Sequence, residues 1–430
     1  MHHNKLIKFA SAALALTILV ALISWVSGAA KGTRVLALVG LEPEIDRNVL
    51  VNQLGPFIIR NEFPAEYEFE IDGEVKTLKV QYTLQDHAQS LIQKLLRQYQ
   101  PDYAAFVAID AKTGRIISLA SHSRVQSEIG NLALRATFPA ASIFKIVTAS
   151  AAIDLNKARP ETIVPFNGGL YTLYKKNLEN NKINRWTHKM TMREAFARSV
   201  NMFFGKLGLY HVGPQNLYMY AERFLFNKDI PTDIPVQASY ARFNLDDPWS
   251  VVSAASGFTH DNTLSPLHGA LIAAAIANDG VMMAPYLVES LTPLDSEEPL
   301  YKSSEQQASI VVEPHSAKEL RKLFYETIRS GTSRKSFRRT ARRPAFGDVE
   351  FGGKTGSLTG KDPEGKCDWF VGYARYRDER IAVAALTVNE KKWRVKSSML
   401  ASLFFEGYLK EVVQLDQLAD ARGNRSRKAN

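Results

Sequence analysis

The stretch "CDWFVGYARYRDERIAVAALTV" (residues 367–388) is the strongest indicator of the fold class. Two apolar runs rich in β-branched and aromatic residues flank a short polar segment at residues 377–379. This pattern is typical of two antiparallel strands joined by a tight turn. Directly upstream lies "GGKTGSLTG" (352–360), which carries Lys-Thr-Gly at residues 354–356.

A second strand pair is predicted far upstream, in "YAAFVAIDAKTGRIISLAS" (103–121). Its two β-rich runs flank Asp110 and Gly114, where the aspartate favours turn initiation and the glycine can adopt positive φ. The same three letters, Lys-Thr-Gly, occur here at residues 112–114. We interpret this first copy as a hairpin turn.

Helices are predicted between the two strand pairs. A largely buried helix follows Pro139 and runs to about Asp154, a second begins near Thr191, and a third lies between Pro266 and Gly280. A closing helix is predicted in "SSMLASLFFEGYLKEVV" (397–413). Strand pairs that enclose helices indicate an α+β or three-layer domain with a mixed antiparallel sheet.

The N-terminal region contains an uncharged apolar run at residues 9–30, which would span roughly 33 Å as a helix. We predict a transmembrane signal anchor there, preceded by a cytoplasmic tail (1–8). A cleavable signal peptide ending near Gly28 and Ala30 is the alternative. Either interpretation exports the rest of the chain: a small membrane-proximal or linker module (31–100), the main domain (101–412), and a polar, disordered tail (413–430).

Composition narrows the classes of partner. The 430 residues include 54 basic and 44 acidic residues, a net charge of +10. The run "RKSFRRTARR" (334–343) holds six basic residues and no acid. A solvated loop is one interpretation of this run. A binding patch for anionic lipid or an anionic wall polymer is the second, and a mobile flap by the active site is the third. No nucleic acid partner is expected of an exported chain.

Metal and disulfide chemistry find no support. Cys367 is the only cysteine, so the chain can form no intrachain disulfide and no multi-thiolate zinc site. Four histidines lack metal-ligand spacing and are interpreted as surface or core residues: His188, His211, His260 and His268. No cofactor is predicted.

The segment "PAASIFKIV" (139–147) places Ser142 and Lys145 one helical turn apart on the same face. A serine hydroxyl is a weak nucleophile and needs a base within hydrogen-bond reach. A buried lysine can be that base when burial and nearby positive charge lower its pKa. The pair therefore predicts acyl transfer through a serine ester.

Two further motifs follow in order: Ser199 and Asn201 in "ARSVNMFF", and Lys354-Thr355-Gly356 in the second Lys-Thr-Gly copy. Ser-x-x-Lys, Ser-Asp-Asn and Lys-Thr-Gly are together a known signature of class A β-lactamases and penicillin-binding proteins. From about residue 103 to 408 the chain resembles the transpeptidase domain of penicillin-binding proteins. The resemblance implies a three-layer domain with helices on both faces of an antiparallel sheet, plus an all-helical lobe.

The resemblance also implies catalytic roles. Ser142 would attack the penultimate D-alanine of a peptidoglycan stem peptide, Lys145 would accept its proton, and Ser199 would relay a proton to the leaving group. The backbone N–H groups of Ser142 and Ser357 would form the oxyanion hole.

Substrate-binding roles follow in the same way. Asn201 would bind the donor peptide's amide, Lys354 would contribute positive charge, and Thr355 with Ser357 would hold the terminal carboxylate. Gly356 would let the substrate lie along the strand, where a side chain would block it. Val200 stands where the signature has aspartate, and Ser357 stands where threonine is more usual.

The predicted function is a monofunctional D,D-transpeptidase in the bacterial cytoplasmic membrane, with its domain on the periplasmic side. Its partners would be stem peptides ending in D-Ala-D-Ala and β-lactams as covalent inhibitors, and a wall-synthesis polymerase is a further candidate partner. The residues before residue 101 are too few for a glycosyltransferase domain. Alternatives that share the site are a D,D-carboxypeptidase or endopeptidase, a β-lactamase, and a non-catalytic penicillin sensor or scaffold.

Overall fold

A computed structural model describes residues 45–126, 128–179 and 183–428. The expected cytoplasmic tail and anchor, residues 1–30, lie outside the described residues. Within the described ranges, no helix combines the length and the apolar character needed to cross a membrane.

Twelve helices, α1 to α12, occur among the described residues. In chain order they are Arg47–Ile59, Asp86–Tyr99, Lys145–Asp154, Lys175–Glu179, Met192–Ala197, Asn201–Lys206, Pro214–Arg223, Pro248–Ser256, Pro266–Ala277, Pro314–Arg329, Arg334–Phe337 and Ser397–Lys428. Short 3₁₀ turns cover Leu132–Leu134, Ala141–Phe144, Thr340–Arg342 and Pro344–Phe346, and a π-helical turn covers Leu207–Val212.

Thirteen strands, β1 to β13, are present in the same ranges. In chain order they are Glu66–Ile71, Glu74–Tyr82, Tyr103–Asp110, Ile116–Ser123, Phe138–Pro139, Thr263–Leu264, Val281–Met283, Val288–Pro293, Tyr301–Lys302, Gln307–Ile310, Glu350–Lys361, Glu364–Tyr376 and Glu379–Asn389.

The main sheet has five antiparallel strands in the order β11-β12-β13-β3-β4. It joins the two predicted strand pairs, because β13 at the end of the domain pairs with β3 at its beginning, with Val383 opposite Ala108. Gly114 has φ +86° in the β3–β4 turn, as predicted. The antiparallel sheet of the predicted α+β fold is therefore confirmed.

Helices cover both faces of this sheet. Helix α9 packs on β3, β12 and β13 from one side, while α2 and α12 pack on the other. The strands are apolar on both faces because successive side chains alternate between two cores: Val107 belongs to the first core, and Phe106 and Ala108 to the second. The result is the predicted three-layer arrangement.

A helical lobe lies beside the edge strand β11. Helix α3 packs against α7, α8 and α10 in this lobe, and α6 packs against α8. Helix α10 contacts both β11 and α5, so it holds the edge strand close to the lobe. The candidate site lies where these parts meet.

The expected boundary near residue 100 does not separate two cores. The hairpin β1–β2 pairs with β8, about two hundred residues later, in a second sheet of order β1-β2-β8-β9. Ile92 and Leu96 of α2 share a core with Phe404 of α12. The described part of the predicted module 31–100, from residue 45 onward, thus packs into the main body.

The basic run 334–343 is neither a loop nor a flap. It forms α11 and a 3₁₀ turn that pack on α12, with Phe337 fully buried. The Ser336 and Ser398 hydroxyls lie 2.7 Å apart, and those of Thr340 and Ser402 lie 2.9 Å apart. These contacts fix the run because its apolar and hydroxyl residues recur on the side that faces α12.

The closing helix is longer than predicted. Helix α12 continues to Lys428, whereas a disordered tail was expected from residue 413. Between residues 414 and 422 the sequence consists of Gln, Leu, Asp, Ala and Arg, most of which have good helix propensity, and no proline interrupts it.

Candidate active site

The nucleophile candidate Ser142 lies in the 3₁₀ turn Ala141–Phe144 that leads into α3. Ala141 has φ +49°, a left-handed conformation that is uncommon for a residue with a side chain. Gly257 packs against this turn so closely that a Cβ there would lie 1.8 Å from the Ala141 carbonyl oxygen. Backbone packing therefore fixes the turn, while the Ser142 side chain stays half-exposed.

Lys145 is fully buried, and its Nζ contacts three oxygens. These are Ser142 Oγ at 2.7 Å, Asn201 Oδ1 at 2.8 Å and the Ser256 carbonyl oxygen at 2.5 Å. Burial is the main cause that lowers the pKa of Lys145 well below its ordinary value, and the charge of nearby Lys354 lowers it further. The amine is therefore prone to be neutral.

A neutral amine matches these three contacts. It has two N–H groups and one lone pair, and two of the three oxygens, on Asn201 and Ser256, can only accept. The two N–H groups are used by those acceptors, so the lone pair faces the Ser142 hydroxyl. Because a hydroxyl can donate, Ser142 can direct its proton at Lys145, which is the arrangement that a serine and its base require.

Asn201 opens helix α6 and is 6% exposed. Its Nδ2 donates to the Tyr171 carbonyl oxygen at 2.8 Å, which turns Oδ1 towards Lys145. The structure thus shows Asn201 holding the candidate base, in addition to the substrate contact that the resemblance implies.

Ser199 lies between α5 and α6 with φ +59°, again a left-handed conformation. Its Oγ accepts a hydrogen bond of 3.0 Å from Lys354 Nζ, which also donates to the Thr355 carbonyl oxygen at 2.7 Å. Lys354 is fully buried on β11, and burial lowers its pKa to about 7. Near neutral pH this amine can therefore give up or regain a proton, so its positive charge is partial there.

One cavity of about 360 Å³ collects the site residues. Among its lining residues are six of the eight predicted ones: Ser142, Ser199, Asn201, Thr355, Gly356 and Ser357. Lys145 and Lys354 lie behind the two serines to which they are bonded. A substrate in the cavity would meet the hydroxyls of Ser142 and Ser199, each of which is bonded to a buried amine.

The structure shows a further requirement for glycine at residue 356. A Cβ there would lie 3.2–3.3 Å from Ile143, closer than ordinary van der Waals contact. The glycine therefore lets β11 approach the turn that carries Ser142, rather than only leaving space for substrate.

Sequence analysis missed several contributors. Ser256 accepts from Lys145 through its backbone, and Tyr171 fixes Asn201 through its backbone, so neither side chain gave a signal. Thr332 bonds the Thr355 hydroxyl and donates its N–H to the Ala197 carbonyl oxygen. Only Gly257, a glycine directly after the largely apolar stretch 251–256, offered a hint of close backbone contact.

The first Lys-Thr-Gly copy lies at the opposite edge of the main sheet, in the turn between β3 and β4. Lys112 is exposed there, and Thr113 Oγ1 accepts from the Arg115 N–H. Across the described part of the chain, no group of three His, Cys, Asp or Glu residues could hold a metal ion. His268 is a buried core residue whose Nε2 contacts the Phe224 carbonyl oxygen.

Comparisons with known proteins agree with this geometry. The curated relatives include the peptidoglycan D,D-transpeptidase PbpA of Mycolicibacterium smegmatis, 29% identical over 319 residues that cover 66% of this chain and 62% of the relative. Stage V sporulation protein D of Bacillus subtilis is 22% identical and covers 73% of this chain and 50% of its own length. The chain thus spans less than two thirds of the length of these relatives.

Solved structures share the fold. The D,D-transpeptidase domain of the peptidoglycan glycosyltransferase from Eggerthella lenta matches with a TM-score of 0.63 at 24% identity, covering 77% of this chain and 83% of that one. Penicillin-binding protein A from M. tuberculosis, solved as a penicillin G acyl-enzyme complex, matches with a TM-score of 0.60 at 25% identity, covering 77% and 81%.

A family profile decides the assignment. The profile described as penicillin binding protein transpeptidase domain matches residues 104–404, which is more than half of the chain and includes every site residue described above. The chain therefore belongs to the family of penicillin-binding protein transpeptidase domains.

Proposed function

We propose that this protein is a serine D,D-transpeptidase that crosslinks peptidoglycan stem peptides and is covalently inhibited by β-lactams. The observation that carries the proposal is the 2.7 Å contact between the Ser142 hydroxyl and the fully buried Lys145 amine. Relatives named peptidoglycan D,D-transpeptidase and a relative solved as a penicillin G acyl-enzyme support the same chemistry.

The first half-reaction forms an acyl-enzyme. Ser142 Oγ attacks the carbonyl carbon of the penultimate D-alanine while its proton passes to the neutral Lys145 amine. The backbone N–H groups of Ser142 and Ser357, two residues that line the cavity together, are our proposed oxyanion hole. The peptide C–N bond then breaks, and the terminal D-alanine leaves.

The leaving amine needs a proton. Ser199 is placed to supply it, because its hydroxyl is bonded to Lys354, whose pKa of about 7 allows it to replenish that proton. In the second half-reaction an acceptor amine attacks the ester carbonyl, and the proton it loses as the new amide forms passes through Ser199 to Lys354. The ester C–O bond then breaks, and Lys145 returns its proton to Ser142, so both lysines regain their starting states. If water attacks instead, the same residues perform hydrolysis.

The donor's terminal carboxylate would be held by the hydroxyls of Thr355 and Ser357, which line the cavity. The Thr332 hydroxyl bonds Thr355 and would fix its orientation. Asn201 would both orient Lys145 and offer its second amide hydrogen to the donor peptide.

The location is part of the same proposal. We assign the protein to the cytoplasmic membrane, anchored by the apolar segment 9–30 with its domain on the periplasmic side, because the proposed substrate lies there. A wall-synthesis polymerase that supplies new glycan strands would be the matching partner. Protease treatment of intact and lysed spheroplasts tests this assignment: a domain digested only after lysis would contradict it.

The test of the function is to incubate the protein with a fluorescent penicillin, map the labelled residue, and follow the adduct for hours. We expect a long-lived adduct on Ser142 that is absent from Ser142→Ala. Rapid release of the label would indicate a β-lactamase, and a label on another residue would overturn the site. Stem-peptide donors should then give a crosslinked product when an acceptor amine is added; hydrolysis alone would indicate a carboxypeptidase.

A further inference from the structure

The basic run 334–343 takes no part in the catalytic cavity, but it forms the wall of another one. This second cavity, of about 310 Å³, lies between the end of α10, α11 and the following turns. Its floor includes the aromatic rings of Phe337, Phe346 and Phe351. Arginines from the run surround it. An apolar floor with a cationic rim is the feature that needs an explanation.

The arginines of the run fall into two groups. Arg339 and Arg343 form ion pairs with Glu406 of α12 and so help to hold the run in place. Arg334, Arg338 and Arg342 line the cavity, are exposed, and have no carboxylate within 4.0 Å among the described residues. The second group therefore keeps its hydrogen-bond donors available to a ligand.

The positive surface continues along α10. Lys318, Lys322, Tyr325 and Arg329 are spaced at i, i+4, i+7 and i+11, which places them in one stripe about 16 Å long. Lys322 is paired with Glu319 and Arg329 with Glu326, so these two cations are partly neutralised by their own helix. The stripe borders a third cavity, of about 370 Å³, which shares Tyr325 and Arg329 with the second. Tyr325 is 47% exposed at the junction. The two cavities therefore adjoin and form one elongated groove, in which basic residues outnumber the two acidic lining residues, Glu326 and Glu350.

We propose that this groove binds an extended acidic peptide segment of a partner protein, anchored by one apolar side chain in the cavity floored by the three phenylalanines. Guanidinium groups bind carboxylates with two parallel hydrogen bonds, which suits the unpaired arginines. Protein interfaces are built around an apolar anchor in a pocket with a polar rim, where arginine is enriched. A purely anionic polymer would leave the aromatic floor without a partner.

This proposal does not depend on the catalytic function. One end of the groove is nevertheless close in sequence to the active site. Helix α11 begins two residues after Thr332, whose hydroxyl bonds that of Thr355. A bound segment would therefore lie next to the residues that hold the edge strand β11.

The test uses the purified full chain and a fluorescein-labelled synthetic peptide of glutamates with one central phenylalanine, followed by fluorescence anisotropy. The triple variant R334Q/R338Q/R342Q should weaken binding at least ~10-fold. The control K94Q/K157Q/K302Q removes three exposed charges elsewhere, and it should change the affinity less than ~2-fold because distant surface charges are screened. Equal losses in both variants would mean non-specific attraction and would overturn the proposal.

The anchor is tested separately. Ala341 lines the cavity, so A341W should fill it and weaken peptide binding, whereas A345W, at an exposed position outside the lining, should not. A peptide with serine in place of phenylalanine should bind at least ~5-fold more weakly, because the transfer of one aromatic side chain contributes more than 1 kcal/mol. If this peptide or inorganic polyphosphate binds as well as the original, the groove is a plain polyanion surface and the proposal is wrong.

Discussion

The two copies of Lys-Thr-Gly have the same letters and lie at opposite edges of one sheet, yet their surroundings differ in every respect. Lys112 is exposed in the turn between β3 and β4, whereas Lys354 is fully buried on β11. Burial lowers the pKa of Lys354 to about 7 and its Nζ holds Ser199. The same three residues can therefore take part in catalysis only where the fold buries the lysine and places a second functional side chain, such as Ser199, within hydrogen-bond distance of it.

The glycines of the two copies meet different structural requirements. Gly114 has φ +86°, and a Cβ there would lie 2.3 Å from the Ala284 carbonyl oxygen. Gly356 lies in an extended strand and is needed because β11 approaches Ile143 closely. One glycine serves the turn, and the other serves the distance between the strand and the nucleophile.

The largest effect is expected for the second fully buried lysine of the site, Lys145, which contacts the nucleophile. Lys145→Met keeps most of the side-chain volume and removes the amine, so acylation by a fluorescent penicillin should fall by ~10³. The rate is measured by quenching the labelling reaction at a series of times, and a thermal unfolding transition checks that the variant is folded. A folded variant that acylates at nearly the normal rate would exclude Lys145 as the base.

The two Lys-Thr-Gly lysines provide a matched pair. Lys354→Met should slow acylation by ~10², because Ser199 loses the donor that holds it and the site loses its second amine. Lys112→Met should leave the rate within ~2-fold, since its only described ion-pair partner is an exposed carboxylate, that of Asp378 at 4.0 Å. Similar acylation rates for the two variants would show that buried Lys354 contributes no more to catalysis than exposed Lys112.

The two glycines should separate stability from activity. Gly114→Ala should lower the free energy of unfolding by at least about 2 kcal/mol, because alanine is strained at positive φ and its Cβ would clash with the Ala284 carbonyl oxygen, and it should leave the acylation rate of the folded protein unchanged. Gly356→Ala should slow acylation by ~10-fold through a displaced Ile143 and Ser142, with a smaller effect on stability. Denaturant titration and labelling kinetics measure the two effects, and a reversed assignment would refute the stated reasons.

The sequence allowed prediction of those features whose cause is local. Ser142 and Lys145 are three residues apart, so helical geometry alone places them together, and Gly114 is required by its own turn. Ordering of the three motifs then connected Ser199 and Lys354 to this pair through a family resemblance rather than through geometry. The structure places these residues at one site.

Other features could not be predicted because their causes are distant in the chain. Strand β8, the partner of β2, is encoded about two hundred residues downstream, and the sequence of the segment 31–100 alone gives no sign of this pairing. Ser336 of the basic run is fixed by Ser398, 62 residues later, which no charge count reveals. Thr332 and Gly257 contribute through contacts that exist only after the strand, the lobe and the nucleophile's turn have come together.

The most direct test of the account is the pH dependence of the acylation rate constant for the wild-type chain. A lysine whose pKa is lowered is neutral above that pKa and becomes protonated as the pH falls through it, so its capacity to act as a base is lost on the acid side. Because burial and the charge of Lys354 keep the pKa of Lys145 well below the ordinary 10.5, the rate should reach its plateau well before the pH at which an ordinary lysine titrates and should decline only on the acid side. A rate that keeps rising with unit slope up to pH 10 would mean that Lys145 is an ordinary charged lysine and would contradict the central claim.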